Sequence, residues 1–329
     1  MKLSYEQKRA YRRQLIHARR ALSRSIASYL TPELFNVPSD SRIARDRAVG
    51  FFPTIQRVWP NLDVFLDTHH VRKGVHSVWH QGLPIDFQLT RTRADVLLVV
   101  FHGALELNAA LPLFPGANVT RGLRASRLAF TDPSLYLSPE LPLAWYAGSV
   151  FQPDLASQIT KIIRKVARST RAKRIVLFGS SGGGFASLVQ AAAIPQATAL
   201  IANAQTNVLL YHEYHVQKYL DIAWGGDRKK FVAAGQSSAI ERLNASMPRP
   251  RVLYMQNSTD AFHIRRHLNP FMQRLGSELN VQLLLGNWGD GHVAPPKELF
   301  RASLEAVVEN DDLALERIGF VPGVNYSPE

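Results

Sequence analysis

The 329-residue chain contains no cysteine. That excludes disulfides, a thiolate nucleophile and cysteine-ligated zinc, but it leaves the redox compartment open, because a cysteine-free protein is tolerated anywhere. Long apolar runs are missing too, and none approaches the roughly 20 residues that span a bilayer. The basic N-terminus is not followed by the apolar segment and small-residue cleavage site of a secretory signal, so the expected location is cytoplasmic. There is no internal repeat and no low-complexity tract. The length and an ordinary hydrophobic fraction of 46% suit a globular α/β protein, either one domain with extensions or two domains.

Acidic residues are comparatively few: 26 Asp and Glu oppose 39 Lys and Arg, for a net charge of +13. Just over half of that excess falls in residues 1–30, where Lys2, Lys8, Arg9, Arg12, Arg13, Arg19, Arg20 and Arg24 stand against Glu6. Tyr11, Leu15, Ala18, Leu22, Ile26 and Tyr29 recur at steps of three and four, which predicts an amphipathic helix. Such a helix docks by its apolar stripe and shows its arginines to an anionic membrane surface or an anionic glycan, or it simply presents a solvated basic face. A membrane-peripheral position follows from the first of these. No nucleic-acid-binding motif accompanies the charge, so nucleic acid is not an expected partner.

Residues 174–188 carry the sharpest signal. Residues 174–178 form a largely β-branched and apolar run, as in a buried parallel strand, and the small and apolar residues after Gly182 read as a helix start. Between them stands Gly179-Ser180-Ser181-Gly182-Gly183, a G-x-S-x-G in the strand-to-helix context of a nucleophile elbow. The strained central residue needs small neighbours two positions away, which Gly179 and Gly183 supply. A P-loop would need Lys-Ser or Lys-Thr where Phe185-Ala186 stands, and no register of these glycines gives G-x-G-x-x-G. The plain alternative is a turn that only packs a helix tightly on a strand.

Elsewhere, residues 31–60 read as an irregular connection or a small packed extension, and strands are predicted at 64–66, 77–79, 85–90, 95–101, 128–130, 199–201, 251–255 and 281–285. Helices are predicted around 159–168, 210–220, 228–244, 262–276 and 296–309. This alternation implies a mostly parallel sheet covered on both faces, with ligands beyond the carboxyl ends of its strands. A serine nucleophile needs a base, and the base needs an acid that fixes its tautomer. Asp260 follows the strand at 251–255 and His292 follows the one at 281–285, giving the chain order Ser181, Asp260, His292. Asp290 is the weaker rival acid, better suited to shaping its loop. His263 and His267, four apart on a helix, are rivals for the base or for a metal, but read better as structural. His212-Glu213-Tyr214-His215 falls one residue short of a zinc motif. The backbone N–H of Gly182, with that of Gly103 or Ala104, would receive an oxyanion. Gln205, Thr206 and Asn207 are candidates for substrate contact, or for turn capping. No metal or cofactor is implied.

Taken together, Gly179–Gly183, Asp260, His292 and His102-Gly103 resemble the α/β-hydrolase superfamily over about residues 62–310. That resemblance implies an α/β-hydrolase fold with an eight-stranded, mostly parallel sheet, a Ser-His-Asp triad and acyl-enzyme chemistry. His102-Gly103-Ala104 is similar to the H-G-G-G motif of lipases and esterases but keeps only its start. Phe178 to Ala186, residues 202–207 and residues 254–260 further resemble hydrolase-like proteins of cell-surface glycan and accessory secretion systems, some of them O-acetyl-group enzymes acting on sugars. The expected organisation is a basic helix and extension over 1–60 and a catalytic domain over 61–329, with a lid in 105–150 or 205–245. The expected function is a carboxylesterase or a carbohydrate O-acyltransferase or deacetylase acting on a small-molecule or glycan ester. The alternatives are a peptidase or thioesterase using the same residues, or a non-catalytic module anchored by the basic helix.

Overall fold

The computed structural model describes residues 40–48, 56–107, 109–276 and 280–327. The amphipathic helix expected over residues 1–30 lies outside them. Among the described residues, ten strands form one sheet: β1 (Gln56–Trp59), β2 (Gly74–His80), β3 (Leu83–Thr90), β4 (Val96–Phe101), β5 (Ser126–Phe130), β6 (Arg174–Ser180), β7 (Thr198–Ala202), β8 (Arg251–Asn257), β9 (Asn280–Gly286) and β10 (Val321–Pro322). Their spatial order is β1-β2-β3-β5-β4-β6-β7-β8-β9-β10. Only β3 and β10 run against the others. The order reverses at β4, which lies between β5 and β6, so a crevice opens at the carboxyl ends of β4 and β6.

The apolar run of β4 has a direct structural reading. Leu97, Val99 and Phe101 point into one core, and Val96, Leu98 and Val100 into the other. The first core is closed by helices α1 (Leu62–Asp67), α2 (Leu155–Thr170) and α3 (Gly182–Ala193), and the second by α8 (Lys297–Glu309). Between α3 and α8 the chain adds α4 (Glu213–Trp224), α5 (Arg228–Ala233), α6 (Ala239–Asn244) and α7 (Asn269–Leu275), with α9 (Asp312–Ile318) after them. Burying a side chain of this size is worth about 1.5–3 kcal/mol, so a strand that is apolar on both faces belongs at the centre.

Three expectations are corrected. Residues 64–66 lie in α1 and not in a strand: the Asn61 side chain accepts the Val64 N–H at 2.9 Å, and Leu62 and Phe65, three apart, are the buried pair. The apolar spacing there is helical. Residues 56–59, read as irregular, form β1 alongside β2. The sheet has ten strands instead of the eight implied by resemblance, with β1 and the two-residue β10 added at its edges.

The segment 40–48 is pinned to the sheet through charge. Asp86 of β3 is fully buried, and Arg47 donates to both of its oxygens, through Nε at 3.0 Å and through Nη2. The Tyr136 hydroxyl donates to the same carboxylate at 2.5 Å. Removing one partner of a buried ion pair strands the other charge. Arg47→Met is therefore expected to lower unfolding free energy by about 3–5 kcal/mol, measured by urea denaturation. A loss below about 1 kcal/mol would show that the pair is solvated in practice.

Candidate active site

Ser181 sits between β6 and α3 with φ 56° and ψ −122°, a conformation outside the regions that side-chain-bearing residues favour. Its neighbours hold it there. The Ser181 N–H donates to Ala202 O at 2.9 Å, and its carbonyl accepts from Gly184 N–H at 3.0 Å. A Cβ on Gly179 would overlap the Gly183 carbonyl, and one on Gly183 would overlap the Phe101 carbonyl. Both positions thus require glycine because of close backbone approach.

His292 and Asp260 reach the same point from the ends of β9 and β8. His292 Nε2 lies 3.2 Å from Ser181 Oγ, and His292 Nδ1 lies 2.7 Å from Asp260 Oδ2. Asp260 is buried and caps the following helical turn, its Oδ1 accepting the His263 N–H at 3.2 Å. Burial pushes its carboxyl pKa up, but the contacts with His263 and His292 outweigh this and hold it below the usual carboxylate range. Asp290 is exposed at the loop surface.

Two asparagines that the sequence reading did not single out as site residues shape the histidine loop. Asn257 Nδ2 donates to the carbonyls of Gly289 (2.8 Å) and Gly291 (2.6 Å), and its Oδ1 accepts the Trp288 N–H at 3.0 Å. Asn203, at φ 43°, donates from Nδ2 to Val293 O at 2.8 Å and accepts the Asn257 N–H at 2.8 Å. Both sit at strand ends, where an amide can bond to the next loop.

Gln205 is fully buried beside the serine, with Nε2 2.8 Å from Ser181 Oγ and 2.9 Å from His263 Nε2. Its Oε1 faces Trp145 Nε1 at 3.2 Å. Thr206 bonds to His267 through both its N–H and its hydroxyl. Asn207 caps a short turn, accepting the Leu209 N–H at 2.9 Å. Trp145, also unforeseen, is one of two successive non-glycine residues at φ 55°, where Asp132 holds the next N–H, that of Tyr146.

His102 is buried beneath the loop after β4. Its Nε2 accepts the Asp132 N–H at 3.1 Å, so its proton sits on Nδ1 and is given to the Gly103 carbonyl at 2.7 Å. A planar trans peptide points its carbonyl and N–H in opposite directions, so this bond turns the Ala104 N–H away from His102. A Cβ on Gly103 would lie 3.4 Å from Ser181 Cβ and 3.8 Å from Gly182 N, so this loop runs directly against the elbow. Gly182 opens α3, and first-turn N–H groups have no partner within their helix.

Among the described residues, Asp260, His263 and His292 bring possible metal-ligating atoms within 4.8 Å of one another. Proton accounting argues against an ion there. Trp145 Nε1–H can only donate, so the facing Gln205 atom is the carbonyl oxygen and Nε2 carries both amide protons. One of these points at His263 Nε2, which must then be unprotonated. The His263 proton is therefore on Nδ1, 2.8 Å from Asp260 Oδ2, where a metal would have to displace it. His212 stacks on Phe262 with centroids 4.0 Å apart, just before α4 begins, so the 212–215 tetrad does not share one helix face.

This sheet order, with an elbow after β6, is the α/β-hydrolase fold. No protein-family model and no curated protein sequence matches the chain. Similar solved structures include the capsule O-acetyltransferase of Neisseria meningitidis serogroup A, at 14% identity and TM-score 0.57, covering 70% of this chain and 95% of that one. An acetyl xylan esterase from Paenibacillus sp. R4 is similar at 13% identity and TM-score 0.51, with 76% and 92% covered. An S-formylglutathione hydrolase from Agrobacterium tumefaciens is similar at 14% identity and TM-score 0.50, with 75% and 94% covered. No helix among the described residues is long and apolar enough to cross a membrane.

Buried histidines give the site's surroundings a pH dependence. Burial lowers the pKa of His76 and His102 to about 4 and that of His267 to about 3. Each binds fewer protons folded than unfolded below about pH 6.5, so stability falls as pH drops from there toward 4. Asp132, raised to about 6 by burial, opposes this over part of the same range. Three groups against one predict a lower urea midpoint at pH 5 than at pH 7. An equal or higher midpoint at pH 5 would mean that these histidines charge freely in the folded state.

Proposed function

We propose that the protein is a serine acyl-ester enzyme working through a covalent acyl-Ser181, either an esterase or an O-acyltransferase. The observation that carries this reading is the continuous reach from Ser181 Oγ to His292 at 3.2 Å and from His292 to Asp260 at 2.7 Å, at a strained elbow. In it, His292 Nε2 takes the Ser181 proton as Oγ attacks the acyl carbonyl, and the Asp260 carboxylate stabilises the imidazolium that forms. The Gly182 N–H and the Ala104 N–H hold the oxyanion; we prefer Ala104 to Gly103 because the His102 bond fixes its direction. The imidazolium then returns its proton to the leaving alcohol, and water or a sugar hydroxyl releases the acyl group.

Transfer to a carbohydrate is the more specific reading, suggested by the similarity to a capsule O-acetyltransferase; an acetyl xylan esterase of the same fold suggests sugar-ester hydrolysis instead. The basic residues 1–30 are proposed to meet an anionic surface, lipid or glycan. A fluorophosphonate probe is expected to label the purified protein, with labelling abolished in Ser181→Ala. Hydrolysis of p-nitrophenyl acetate should fall at least about a thousandfold in the same variant. A folded wild-type protein that neither labels nor hydrolyses the ester would instead support a non-catalytic module.

A further inference from the structure

The proton order around Gln205 closes into a ring that a three-residue triad does not need. Trp145 donates to Gln205 Oε1, and Gln205 Nε2 donates once to Ser181 Oγ and once to His263 Nε2. His263 Nδ1–H approaches Asp260 Oδ2 at 2.8 Å, the same oxygen that His292 Nδ1 meets at 2.7 Å. The two imidazoles stack with centroids 4.0 Å apart and planes 14° apart. We propose that His263 is a positioning residue for Ser181 and His292, sharing Asp260 with His292 and directing the Ser181 hydroxyl through Gln205. This inference rests on the reading of Ser181 as the nucleophile.

Two consequences follow from the chemistry. Because Oγ already accepts a proton from Gln205, its own single proton is steered to His292 Nε2. Because one carboxylate oxygen faces two ring nitrogens, His263 Nδ1 at 2.8 Å and His292 Nδ1 at 2.7 Å, it stabilises a His292 imidazolium less than it would as a sole partner. The titratable groups facing His263 are Asp260 and His292, His267 on its own helix, and Tyr211 and His212 from the segment before α4. Burial, chiefly, lowers the His263 pKa; the Asp260 contact works against this and the neighbouring His292 adds to it.

The test is the pH profile of fluorophosphonate labelling, which needs no knowledge of the substrate. His263→Phe removes the second donor and is expected to raise the midpoint of the acid limb by about one pH unit. His263→Asn keeps a donor near the Nδ1 position and should hold the midpoint within about 0.3 unit of wild type. Gln205→Met should lower the plateau rate about tenfold, as the hydroxyl loses its direction. A merely structural histidine would alter thermal stability and leave the midpoint alone. If wild type labels at Ser181 and His263→Phe does not shift the limb, or His263→Asn shifts it equally, the positioning role is overturned while the nucleophile reading stands. If wild type does not label at all, both fall.

Discussion

Between Gly179 and Gly183 there is no room for one more carbon, and the site is built outward from that contact. The close approach lets α3 start directly against the end of β6, and this forces Ser181 to φ 56°. With its backbone so turned, the hydroxyl stands where the loops after β8 and β9 converge, and the loop after β4 lies against the elbow through Gly103. A Cβ at any of Gly179, Gly183 or Gly184 would meet backbone or a packed side chain, so backbone packing sets the geometry of the elbow before any side chain acts.

Around this point the polar groups have one consistent set of proton directions. The order starts at Trp145, a donor only, passes through Gln205 and reaches both Ser181 and His263. Buried polar groups are costly when unpaired, and one indole N–H is enough to fix which way the Gln205 amide faces. The same proton order disfavours a metal at Asp260, His263 and His292, although the atoms are close enough to suggest one. Asn203 and Asn257 extend the scheme by fastening the loop that carries His292.

Much of the fold was legible because β4 and β6 are apolar on both faces and because the helical and strand periods differ. The segment 62–67 was misread since Val64, Phe65 and Leu66 form a short apolar run, and such a run does not distinguish strand from helix until the Asn61 cap is weighed. β1 was missed because Gln56–Trp59 carries no clear alternation. The elbow serine and the order of Asp260 and His292 could be read from local patterns. The contacts of Gln205 could not: its partners lie 60, 24 and 58 positions away, at Trp145, Ser181 and His263. His263 was weighed as a rival base or structural residue, and one-dimensional spacing gives no sign that it stacks on His292.

The most direct test of Ser181 as the nucleophile is a crystal structure of the protein after reaction with a phosphonate ester, whose phosphoryl oxygen mimics the oxyanion. Phosphorus is expected on Ser181 Oγ, with His292 Nε2 within hydrogen-bond reach of the ester oxygen and the phosphoryl oxygen about 2.7–3.1 Å from the Gly182 and Ala104 nitrogens. An adduct on another residue, or a phosphoryl oxygen turned away from both amides, would contradict it.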